Sequence, residues 1–125
     1  MIQIDYQDKR PIYEQVVEKM KNLITMGILT PNDKVPSVRM MAIDLSINPG
    51  TIQKAYQELE RLGYIYTVKG RGNFVSDASS WREDRARENF AQLRAAATNL
   101  RNMGIKREDI IQTIDDVMKE RKDND

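Results

Sequence analysis

The chain has 125 residues, 40% of them apolar and 31% charged, and its 20 Lys and Arg nearly balance 19 Asp and Glu for a formal net charge of +1. It contains neither Cys nor His. That excludes disulfides, thiolate chemistry and Cys-type zinc sites, and removes the commonest general base and transition-metal ligand.

Length and composition fit a soluble, helix-rich domain with a short extension. No apolar run approaches bilayer-spanning length and no charged-then-apolar leader opens the chain, so a cytoplasmic protein without membrane contact is expected. Residues 1–76 hold ten Lys and Arg against eight Asp and Glu, and residues 77–125 ten against eleven. With so weak an asymmetry, affinity for a polyanion must come from where the cations sit.

Met1 to Arg10 alternates Ile2, Ile4 and Tyr6 with polar residues, the pattern of a short strand-like arm. Pro11 reads as the first residue of a helix, where its missing N–H costs nothing. Ile12, Val16, Met20, Leu23 and Ile24 then recur at helical spacing up to a stop at Gly27. Thr30-Pro31-Asn32-Asp33 is a turn cluster. Ser37, after Pro36, is an N-cap for a short helix with Val38, Met41, Ala42 and Leu45 on one face. Ser46-Ile47 is a tight turn, Asn48 caps the next helix and Pro49 takes its first position. Ile52, Ala55, Tyr56, Leu59 and Leu62 form its buried face, and Gly63 ends it.

Tyr64 to Val75 is aromatic and β-branched, broken by Gly70 and Gly72, and reads as a β-hairpin with a basic tip. Asp77 to Ser80 is a short junction. From Trp81 to about Met103, Ala86, Phe90, Leu93, Ala97 and Leu100 make a heptad-like stripe on a long helix ended by Gly104. A last helix, about Arg107 to Lys122, carries Ile110, Ile111, Ile114, Val117 and Met118 on one face. Lys119 to Asp125 is charged and expected to fray.

The order of these pieces is more informative than any one of them. A Ser or Asn cap ordinarily just caps, and a Gly-flanked basic tip is ordinarily just a turn. Helix, short helix, tight turn, capped helix and basic hairpin together describe a winged helix-turn-helix, in which one helix braces a second that enters the major groove by its N-terminus. The residue types at that N-terminus suit the task. Gly50 permits close backbone approach, Thr51 reaches phosphate or a thymine methyl, Gln53 matches an adenine edge, and Lys54 reaches phosphate or guanine. Arg39, in the first turn of the bracing helix, offers a bidentate guanidinium, and the Ser37 hydroxyl can be shared with phosphate. Lys69 and Arg71, with Gly70 between them, suit a hairpin tip entering the minor groove.

The runs Pro11-Ile12-Tyr13-Glu14-Gln15-Val16, Lys34-Val35-Pro36-Ser37-Val38-Arg39, Asn48-Pro49-Gly50-Thr51-Ile52, Ala55-Tyr56-Gln57-Glu58-Leu59 and Gly70-Arg71-Gly72-Asn73-Phe74-Val75 resemble the GntR family of bacterial transcription regulators. The short tail resembles the YtrA subfamily, whose C-terminal part dimerises. The resemblance implies that Arg39 contacts bases or backbone in the major groove. It implies that Asn48, Gly50, Thr51 and Gln53 face DNA, and that Lys69 and Gly70 lie at the wing tip. Pro49 and Gln53 depart from it, standing where some relatives carry arginines, and Pro49 can donate no backbone hydrogen bond. By the same resemblance, targets include the protein's own operon and a neighbouring transporter operon.

The expected organisation is an N-terminal arm (1–10), a winged helix-turn-helix (11–76) and a helical dimerisation tail (77–125), mainly α with a small β-hairpin. Two tail helices make a poor independent core, so Phe90, Leu93, Ala97 and Leu100 are expected to meet the same stripe of a second copy. The expected protein is a homodimeric repressor that binds double-stranded DNA at an inverted repeat. The alternative is a winged-helix protein-interaction module without specific DNA binding. No nucleophile–base pair, phosphate-cradling loop or metal cluster marks an enzyme, and no cofactor or metal site is expected. The chain has no length for a large effector domain. A small-molecule effector would need a cleft, with Arg82, Arg85 and Arg94 as candidate anchors.

Overall fold

The computed structural model describes residues 2–120. Its elements are α1 (Ile12–Thr25), α2 (Val38–Leu45), α3 (Pro49–Arg61), β1 (Ile65–Val68), β2 (Gly72–Val75), α4 (Ala78–Asn102) and α5 (Arg107–Glu120). Packing separates two units, Met1–Asp84 and Arg85–Asp125.

The core of the first unit follows the periodicity of its helices. Val16, Val17, Met20 and Ile24 of α1 meet Ile52, Ala55, Tyr56 and Leu59 of α3, and Met41 and Ala42 of α2 close the cluster. Tyr64, Ile65 and Val75 bring the hairpin onto it. Burial of each Val, Ile, Leu or Met among them contributes about 1.5–3 kcal/mol.

The N-terminal arm is not a strand. Among the described residues no strand pairs with it, and the buried Gln15 amide takes that place. Gln15 Oε1 accepts from the Asp5 N–H and Gln15 Nε2 donates to the Asp5 carbonyl, both at 2.9 Å. This seats Ile2 in the core. Pro11 stands one residue earlier than expected, at the cap of α1 and outside the helix.

In the hairpin, Ile65 pairs with Val75, Tyr66 with Phe74, Thr67 with Asn73 and Val68 with Gly72, leaving Lys69-Gly70-Arg71 as the loop. Ile65 and Val75 face the core, while Tyr66 and Phe74 stack on the other face at 5.7 Å. Residues 32–35 run beside β2, which the sequence did not suggest. Val75 donates to the Asp33 carbonyl, and Asn32 and Val35 donate to Val75 and Asn73. A bridge pairs Lys34 with Phe74.

α4 starts at Ala78, inside the stretch read as a junction and three residues before Trp81. Trp81 stacks on Tyr64 with centroids 5.8 Å apart. The Tyr64 hydroxyl donates to Asp84 Oδ2 at 2.6 Å, and Lys21 Nζ lies 3.2 Å from the same oxygen. These contacts hold the first turns of α4 within the first unit.

The second unit consists of the rest of α4 and α5, and neither helix has a buried residue. Gly104 separates them. Lys119 and Glu120 are helical, and the remainder of the end read as fraying, including Lys122, lies outside the described residues. No helix among the described residues is long and apolar enough to cross a membrane.

Candidate nucleic-acid interface

Two side-chain caps set the start of α2 and α3. Ser37 Oγ accepts from the Met40 N–H at 3.1 Å, and Asn48 Oδ1 accepts from the Gly50 N–H at 2.7 Å. Each satisfies one N–H that a helix start leaves open. Between them Ser46 adopts a left-handed conformation, and the Ile47 N–H donates to the Ala42 carbonyl at 3.0 Å. The turn is as tight as the sequence implied, with Pro49 in the first position of α3.

Arg39 is exposed on α2, away from the buried Met41 and Ala42. On α3, Gly50, Gln53 and Lys54 are exposed and Thr51 is half-buried. Ser37 and Asn48 are exposed but committed to their caps, leaving the Ser37 hydroxyl hydrogen and the Asn48 amide NH2 for an outside acceptor. Lys69, Gly70 and Arg71 are exposed at the hairpin loop. These ten residues occupy three surface segments of the first unit.

Some cations of the unit are committed to carboxylates and others are not. Arg10 pairs with Asp8 at 2.7 Å and with Glu18, Arg61 with Glu58, and Lys21 with Asp84. The Arg10 side chain holds the Asp8 carboxyl below its usual range, and Arg61 does the same to Glu58. The Thr30 N–H and hydroxyl lower Asp33. Arg39, Lys54, Lys69 and Arg71 make no ion pair among the described residues. The first turns of α2 and α3 carry no acidic residue. At α3 Pro49 has no N–H and Gly50, Thr51 and Ile52 donate to Asn48, so it is the α2 start, at Val38 and Arg39, that offers N–H groups to an anion.

Tyr13 and Lys34 were given no role by the sequence reading. Lys54 Nζ lies 4.0 Å from the centroid of the Tyr13 ring on α1, a contact between distant positions that local pattern cannot reveal. Lys34 runs along the hairpin so closely that a Cβ on Gly72 would stand 3.2 Å from Lys34 Cε. Gly72, at φ +119°, leaves that path open, and Lys34 joins Lys69 and Arg71 on the wing. Its signal was present, as the one cation between α1 and α2, immediately before Val35-Pro36-Ser37.

In the second unit, Phe90 is 68% exposed, Leu93 46% and Leu100 36%, and Ala97 is half-buried. Phe90, Leu93, Ala97, Ile105, Ile110, Ile111 and Ile114 line an open groove of about 760 Å³, with Arg94, Thr98, Arg101 and Arg107 among its walls. Of the arginines considered as anion anchors, Arg82 is exposed, Arg85 pairs with Glu88 at 3.2 Å, and Arg94 lines this groove.

The family model for bacterial regulatory proteins, gntR family, matches residues 12–75. The HTH-type transcriptional repressor YtrA of Bacillus subtilis (strain 168) is 52% identical over 77 residues, which are 62% of this chain and 59% of that one. The chain thus spans less than two thirds of that relative. A transcriptional regulator from Oenococcus oeni superposes with a TM-score of 0.78 at 34% identity, over 92% of this chain and 97% of that one. AraR(DBD) in complex with operator ORX1 covers 60% of this chain and 96% of its own, with a TM-score of 0.55 at 29% identity. These relatives are regulators and not enzymes, and their shared fold is the winged helix. This chain belongs to the gntR family of bacterial regulatory proteins.

Proposed function

We propose that this protein is a sequence-specific DNA-binding transcription repressor, cytoplasmic, acting as a homodimer on an inverted-repeat operator. The observation that carries the DNA-binding reading is the placement of cations without carboxylate partners on α2, on α3 and at the hairpin loop. Arg39 at the start of α2, Lys54 on α3, and Lys69 and Arg71 at the wing keep their full charge for phosphate or guanine. Arg10, Lys21 and Arg61 are neutralised within the protein. Arg39 is assigned to base or backbone recognition, and Gly50, Thr51 and Gln53 to the groove-facing start of α3. Ser37 and Asn48 are assigned to phosphate positioning, and Lys69, Gly70 and Arg71 to the wing contact. The operator complex of AraR(DBD) supports this use of the fold.

Dimerisation rests on the tail. A pair of helices with no buried residue gains nothing by folding alone. Phe90, Leu93, Ala97 and Leu100 supply an apolar surface that a second copy can cover, and a two-fold pair of heads fits a two-fold operator.

Footprinting on the DNA upstream of the protein's own gene tests both parts. A protected inverted repeat with half-sites about one DNA turn apart is the expected result. If micromolar protein at moderate salt neither protects nor retards that DNA, the protein-interaction module becomes the better reading.

A further inference from the structure

We propose that Tyr13 is a positioning residue for DNA binding that acts through Lys54, an inference that rests on the DNA-binding reading above. Tyr13 lies in the first turn of α1 and is half-buried against the core. Its ring faces the Lys54 ammonium at 4.0 Å. Lys54 lies one helical turn beyond Gly50 and next to Gln53 on the exposed side of α3.

The chemistry of the holder distinguishes this contact from an ordinary ion pair. A carboxylate that fixed Lys54 would also cancel its charge, as Glu58 does for Arg61. An aromatic face attracts the cation through its quadrupole and carries no net charge. The ammonium is therefore held in place yet remains a full positive charge for a phosphate oxygen. A free lysine has a flexible four-carbon stem whose freedom is lost on binding. Tyr13 removes part of that freedom before DNA arrives, so its contribution appears as affinity.

The pair also links α1 to α3 outside the core. α1 contributes none of the DNA contacts assigned above, and Tyr13 gives it a role in the interface. The role belongs to the ring face, so the phenol oxygen is dispensable.

The test is a double-mutant cycle on the full chain, using fluorescence anisotropy with a labelled mixed-sequence 30-bp duplex across a salt series. Tyr13→Leu is expected to raise Kd about two- to fivefold, and Tyr13→Phe to restore most of that loss. Lys54→Ala is expected to reduce the salt slope by about 0.9 for each head bound. In the Lys54→Ala background, Tyr13→Leu should add nothing. An equal loss from Tyr13→Leu in both backgrounds would mean general damage to the head and would overturn the inference. So would a Tyr13→Phe loss as large as that of Tyr13→Leu, which would assign the effect to the hydroxyl. If the unaltered protein fails to bind duplex DNA, the DNA-binding reading itself falls. If it binds and Tyr13→Leu matches it, only the role of Tyr13 falls.

Discussion

The Tyr56 hydroxyl on α3 donates a 2.7 Å hydrogen bond to the Pro36 carbonyl, immediately before the Ser37 cap of α2. One phenol thus joins the two helices of the helix-turn-helix where both carry assigned DNA contacts. Its ring lies in the core, with only 3% of the residue exposed. The carbonyl it holds belongs to the segment that delivers Arg39.

Tyr56→Phe keeps the ring and removes the bond. The expected loss in urea denaturation is about 0.5–1.5 kcal/mol for the hydrogen bond, with more if the Pro36 carbonyl stays dry. DNA affinity should fall as well, because the start of α2 is freed. Burial pushes the Tyr56 phenol well above the usual tyrosine range. A raised pKa contributes stability that is fully present below the unfolded value, about 10, and is lost as pH rises beyond it. The stability gap between the unaltered protein and Tyr56→Phe should therefore be constant from pH 6 to 9 and shrink above about pH 10.

Lys21 and Asp84 form an ion pair whose side chains are only about a tenth exposed. Removing one member leaves the other charge in a poorly hydrated site. Asp84→Ala should destabilise the first unit by about 3–5 kcal/mol. Lys21→Met combined with Asp84→Leu should recover part of that loss, since both charges leave together while the buried Tyr64 hydroxyl loses its Asp84 acceptor. Chemical denaturation of the three variants checks this.

Gly63 ends α3 at φ +90°, and a Cβ there would stand 2.1 Å from the Ser80 carbonyl oxygen on the first turn of α4. Backbone cannot yield as a side-chain tip can. Gly63→Ala adds this clash to a left-handed strain of about 1–2 kcal/mol. The expected result is a drop in thermal midpoint well beyond that of an exposed helix substitution such as Gln57→Ala. Equal midpoints would mean that α4 does not start against Gly63.

Leu93→Glu places a charge in the tail stripe. Because neither tail helix has a buried residue, the head should stay folded while the proposed dimer dissociates. Sedimentation should report a monomer with an unchanged thermal midpoint for the head, and weaker operator binding through loss of the second half-site. A Leu93→Glu protein that sediments like the unaltered one would remove the stripe from the interface.

The head was legible wherever the decision was local. Ser37 and Asn48 announced caps because an oxygen two or three residues ahead of an open N–H has few other uses. Pro49 and Gly63 marked the ends of α3 through backbone geometry alone. What was missed depends on distant partners. The alternation of Ile2, Ile4 and Tyr6 looks like a strand, but Gln15 captures the Asp5 backbone. Residues 32–35 became a neighbour of β2 only through pairing with residues 73–75. The Ser79-Ser80 stretch, read as a junction, is helical because Trp81 and Asp84 bring it against Tyr64 and Lys21. The cations of the candidate site were visible by type, but their freedom from carboxylates, and the Tyr13 ring beneath Lys54, needed the fold.

The most direct test is quantitative footprinting of the unaltered protein and Arg39→Ala on the DNA upstream of its own gene, with binding to a mixed-sequence duplex as the reference. The unaltered protein should protect an inverted repeat. Arg39→Ala should lose about 1–3 kcal/mol at that site and tolerate changes at the base pair Arg39 reads, with a smaller loss on the reference duplex. Equal affinity of the unaltered protein for the repeat and the reference, or an Arg39→Ala protein with undiminished protection, would contradict sequence-specific reading by this head.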